Sequence, residues 1–122
     1  MKDHTEATSL HNTAMELAQQ AVLTQDRDPD RARGLFRAAL EKERIAAEIW
    51  ESVFNLEPTR SILYRSAAAL ARDCQDYDEA ERLIAKGLAG HPSAFVAQEL
   101  EELRRLVCAE HPSNQGRLRA KA

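Results

Sequence analysis

Aromatic side chains are scarce in this chain. Phe, Tyr and Trp make up 5% of its 122 residues, and Trp50 is the single tryptophan. A core must then be built from Leu and Ala, with helices approaching closely. β-Branched residues are also few: Val, Ile and Thr total 13, against 21 Ala and 14 Leu. That balance excludes a β-sandwich or an α/β sheet and favours helices. Two cysteines, Cys74 and Cys108, are too few for a disulfide-stapled fold and have no zinc-site spacing. No apolar run nears the roughly 20 residues of a membrane span, and the opening Met1 to Glu6 lacks the apolar segment of a secretory signal. A net charge of −3 provides no global attraction to nucleic acid or an anionic membrane. The expectation is a reduced, cytoplasmic protein with one domain over residues 1–109.

What remains is helix punctuation, and with four Gly and four Pro in the chain each break is conspicuous. Asp3 and Glu6 have the spacing of a capping box ahead of a helix over residues 4–24, striped with Leu10, Ala14, Leu17, Ala18, Ala21 and Val22. Asp28-Pro29 supplies an N-cap and a first helical proline. The second helix then runs to about residue 55, with a stripe from Ala32 through Leu35, Phe36, Ala39, Leu40, Ala46, Ala47 and Trp50 to Val53 and Phe54, and Pro58 stops it. Further helices are predicted over 59–74, 77–89 and 93–109. Asp76 and Glu79 form another capping box, Gly90 is placed as a left-handed C-cap, and Pro92-Ser93 opens the last helix, whose face is Val96, Leu100, Leu103 and Val107. Residues 110–122 have little periodicity and read as a disordered tail, locally basic through Arg117, Arg119 and Lys121.

Residues 61–92 resemble a tetratricopeptide repeat, a helix–turn–helix unit of about 34 residues that stacks into solenoids. The resemblance runs through Tyr64 at the large aromatic position, Ala67-Ala68, the turn Asp76-Tyr77-Asp78-Glu79-Ala80, Ile84 and the closing Pro92; Gly87 replaces the usual Ala. Ala46, Trp50, Val53 and Pro58 fall in register with the second half of an earlier repeat, whose first half is missing because Leu40 to Ile45 contains no turn. The block from Glu57 to Ala67 is similar to one in short bacterial proteins of this type with no assigned activity. The resemblance implies an all-α fold: five antiparallel helices in a right-handed superhelix ending in a capping helix. It also implies a concave groove lined by the first helix of each repeat. Ser61, Arg65, Ala69 and Arg72 would then face that groove, with the two arginines gripping an acidic peptide or a C-terminal carboxylate. The chaperone-type carboxylate clamp is not reproduced, since Ala69 stands where that family carries Asn.

Glu43 is the anomaly of the second helix. It falls at the centre of the apolar stripe, where a carboxylate needs a partner. Counting along the helices puts His11 and Arg72 near its height, so Glu43 is expected to pair with one of them, as a buried staple or as part of a ligand contact. Catalysis is not expected, because no second carboxylate or nucleophile matches that height. Leu35, Phe36 and Leu40 raise another possibility. A short third helix would leave them uncovered as a partner or homodimer surface, unless the fourth helix folds back over them. His4 and His11 lie about 10 Å apart along one helix, too far to chelate one ion, and His91 and His111 fall in turns. Neither Ser61 nor Ser66 has a neighbouring His and acid, and there is no glycine-rich phosphate loop.

No metal, cofactor, membrane or nucleic-acid partner is therefore expected. The leading expectation is a non-catalytic adaptor that binds a peptide or partner helix beside the third helix. The alternatives are a subunit that self-assembles through the second helix, or a small-ligand sensor built on buried Glu43.

Overall fold

The structure is a computed structural model, and it describes residues 4–113. It is all-α, with no strand among the described residues. The elements are α1 (His4–Thr24), α2 (Pro29–Ile49), a π-turn (Trp50–Phe54), α3 (Thr59–Asp73), α4 (Tyr77–Ala89) and α5 (Ala94–Glu110).

Local chemistry sets most of these boundaries. Asp28 accepts the Arg31 N–H at 3.1 Å, with Pro29 in the first helical turn. Asp76 accepts the Glu79 N–H and Ser93 the Val96 N–H, each at 3.3 Å. These side chains satisfy amides that have no partner inside the helix. The Asp76–Glu79 capping box is only half formed. Glu79 turns to Arg82, and the Asp76 N–H donates instead to the Ala71 carbonyl at 2.8 Å. Asp3 and the tail from residue 114 onward lie outside the described residues, whereas Glu110, placed in the tail by its sequence, closes α5.

Two boundaries differ from expectation. The second helix continues as far as Phe54, but its last turn is π, with the Asn55 N–H reaching back to the Trp50 carbonyl at 2.6 Å. The wider turn rotates the apolar stripe, so Val53 is exposed rather than packed. Asn55 ends the turn in the left-handed region at φ 50°, and Gln75 follows α3 at φ 64°. Gly90 is not left-handed; its φ is −90°. Glycine is needed there for space, since a Cβ would run into the guanidinium of Arg60.

α2 packs between α1 and α3, α3 packs on α4, and α5 covers α4 and part of α3. Leu40, Tyr64, Leu83, Ile84, Leu100 and Val107 are buried among Ala14, Ala21, Ala39, Ala47, Ala67, Ala68 and Ala71. All four predicted α5 core residues are buried, whereas Val22 at the end of the α1 stripe is exposed. Small residues let the helices meet. A Cβ on Gly87 would stand 3.0 Å from Leu100 and 3.3 Å from Tyr64. Of the two cysteines, Cys74 is buried in the core and Cys108 is exposed.

Candidate functional site

The structure brings Glu43 and His11 together. Glu43 is buried, with 0% exposure. Both of its carboxylate oxygens face Nδ1 of His11, at 2.9 and 3.0 Å. A carboxylate can only accept, so Nδ1 carries the hydrogen and donates. Nε2 is then the nitrogen left for other work, and it makes no hydrogen bond among the described residues. Arg72, the other expected partner, turns away to Glu110.

His11 also lines a cavity of about 330 Å³ between α1, the π-turn and α3, together with His4, Ala7, Thr8, Trp50, Thr59, Ile62 and Leu63. The π-turn builds one wall. Trp50 and Phe54 meet edge-to-face with centroids 4.3 Å apart, and the His4 ring lies 5.5 Å from Trp50. Neither the Thr8 nor the Thr59 hydroxyl is hydrogen-bonded to His11 among the described residues, so no activated nucleophile is assembled there.

The residues expected to face a groove are divided by the structure. Arg65 and Ala69 line an open cleft of about 470 Å³ between α3 and α5, with Ser66, Glu99, Glu102, Leu103 and Leu106. Arg65 is already paired with Glu99. Arg72 holds Glu110 through two hydrogen bonds of 2.6 and 3.0 Å. That pairing keeps the Glu110 carboxyl below the usual carboxylate range and raises the Arg72 guanidinium. Both arginines therefore fasten α5 to α3 and do not stand free for an acidic peptide. Ser61 is buried and is no groove residue. Its N–H donates to Glu57 at 3.1 Å and its hydroxyl to the Pro58 carbonyl at 3.2 Å, both inside the first turn of α3.

The proposed assembly strip is likewise covered. Phe36 is 6% and Leu40 1% exposed, and Leu35 packs partly buried against the same core. α3 reaches further along α2 than its length suggested: Asp76, just beyond it, lies 3.4 Å from Arg37. With α1 packed along α2 as well, Phe36 and Leu40 are covered.

Sequence reasoning missed a second polar cluster. Arg60 is buried and donates to the Lys86 and Gly87 carbonyls at 3.0 Å each, capping the C-terminal end of α4. Its Nε donates to Glu57 at 3.0 Å, and its guanidinium lies 5.4 Å from the Tyr64 ring centroid. Burial pushes the Glu57 carboxyl up, but hydrogen bonds from Ser61 and Arg60 outweigh it and hold the group below the usual range. Burial and a hydrogen bond to Glu51 raise the Tyr64 hydroxyl well above its ordinary value. Partners 26 and 27 residues away leave no local signature in the sequence.

One group could offer three metal-ligating atoms, Asp78, Glu81 and His111, all within 4.8 Å of one another. Nε2 of His111 lies 2.9 Å from Asp78 and Nδ1 lies 2.9 Å from the Ser113 hydroxyl, while both acids are exposed. As it stands, this is a surface hydrogen bond joining α4 to the end of α5.

Comparison with protein-family models, curated proteins and solved structures finds no match to this chain. Among the described residues, no helix is long and apolar enough to cross a membrane.

Proposed function

We propose that this protein is a non-catalytic interaction module of the tetratricopeptide type, taking a peptide or partner helix on the face formed by α1, α3 and α5. The observation that carries this reading is the open cleft between α3 and α5, where half-exposed Leu106 and the edge of buried Leu103 lie beside Arg65, Ser66 and Glu102. Mixed apolar and polar lining suits an amphipathic segment. The helix order supports the repeat-like arrangement. His11 lies 13 residues before the end of α1, and its partner Glu43 lies 14 residues after the start of α2, as an antiparallel pair requires. The Arg65–Glu99 and Arg72–Glu110 pairs advance together along α3 and α5, as neighbouring first helices of successive repeats would. The partner is a peptide docked by shape and apolar contact, since the arginines already have acidic partners.

Selection from a random peptide display library on the immobilised protein tests the reading. Ala69→Arg, which fills the cleft, should weaken the selected peptides about tenfold, the loss of roughly one good contact. Finding no enriched peptide family, or a family indifferent to Ala69→Arg, would remove the groove.

A further inference from the structure

The α1–α3 cavity differs from the other clefts in its charge. Four other clefts among the described residues each carry a carboxylate in their walls: Glu99 and Glu102, Glu48 and Glu51, Glu16, or Asp26 and Asp73. The lining beside His11 carries none; its polar groups are two imidazoles and two threonine hydroxyls, and the rest is Ala7, Trp50, Ile62 and Leu63. In an acidic protein, such a cavity presents no carboxylate directly to an anion, and Glu43 lies behind the His11 ring. We propose that it binds a single carboxylate on a compact apolar body, with the carboxylate at His11 and the body against Trp50, Ile62 and Leu63. This site is separate from the α3–α5 cleft and does not rest on the peptide reading of it.

The His11–Glu43 pair gives the reason. With Nδ1–H held by Glu43, a proton on Nε2 makes His11 a cation between two carboxylates, one buried and one from the ligand. Thr8, Thr59 and His4 are the further polar groups in reach of the bound anion. A volume of about 330 Å³ is at the small end for ligand sites, enough for a body of about one aromatic ring. The carboxylate can come from a free small acid or from the terminal residue of a peptide, and the chemistry at His11 is the same.

Trp50 is the only tryptophan and stands in the cavity wall, so its fluorescence reports occupancy directly. The unaltered protein is titrated with 3-phenylpropionate, with its amide, and with acetyl-glycyl-alanyl-phenylalanine as free acid and as amide. At least one acid should bind, and its amide should bind about tenfold more weakly, as expected on losing a charge-assisted hydrogen bond. Binding of the small acid points to a free metabolite-like ligand; binding of the peptide acid alone points to a chain terminus. His11→Gln should remove the acid–amide difference. Equal affinities of acid and amide, or no fluorescence change with any probe up to about 10 mM, a weak limit for specific binding, would overturn the proposal.

Discussion

At the scale of single residues, the fold rests on a few polar side chains whose partners are fixed by geometry. His11 is the clearest. Removing it leaves the Glu43 carboxylate buried with no hydrogen-bond donor from His11, a loss of about 2 kcal/mol by the usual worth of a bond to a charged group. The larger penalty of a wholly buried pair does not apply, because the His11 side chain is 39% exposed and water can enter. His11→Ala should therefore lower the melting temperature by roughly 8 °C. The Glu43→Gln and His11→Gln double-mutant cycle should give a coupling of about 1 kcal/mol or more; additive effects would mean the contact does nothing for stability. Gly90 makes a different prediction. A methyl group there meets the guanidinium of Arg60, which is already committed to Lys86, Gly87 and Glu57. Gly90→Ala should cost about 1–3 kcal/mol in a denaturant titration, as overpacking does. Glu43 was legible in the sequence because it interrupts a helical stripe, and such an interruption is visible from periodicity alone. Arg60 was not, because only the end of α4 tells it where to go.

At the scale of elements, the same division holds. Asp28-Pro29, Asp76 and Ser93 mark helix starts because a cap is satisfied within three residues. The π-turn leaves no such mark. Trp50 to Phe54 continues the apolar pattern of α2, and only the aromatic contacts with His4 and the left-handed Asn55 distinguish it. The groove residues were divided for a related reason. Spacing placed Ser61, Arg65, Ala69 and Arg72 on one face of α3, but spacing could not foresee that Glu99 and Glu110 of α5 would take both arginines. α2 offers a clean test of element stability. Gly34 is exposed in its interior, and a Cβ there would meet nothing within 4 Å. With no packing term to oppose it, Gly34→Ala should stabilise the protein by about 0.5–1 kcal/mol through helix propensity. A melting temperature that stays put or falls would show that the first turns of α2 are not the regular helix described.

For the molecule as a whole, the links that tie α3, α4 and α5 together are acidic at one end. Glu57 holds Arg60 and, through it, the end of α4; Glu110 holds Arg72 and so seats α5 on α3. Both carboxyls lie below the usual 4.5 in the folded state. A carboxyl depressed by folding contributes stability that is present above its unfolded value and lost as the pH falls through its folded one. The protein should thus keep its full contribution from these two groups near neutrality and lose it progressively below about pH 4.5. Replacing both by glutamine should lower the melting temperature at pH 7 and flatten its fall between about pH 5 and pH 3, because the variant has less to lose. Circular dichroism melts at matched ionic strength measure this directly. A double variant that declines as steeply as the parent would move the acid sensitivity elsewhere, and α1 and α2, joined by the buried Glu43 and His11, are where the search would then begin.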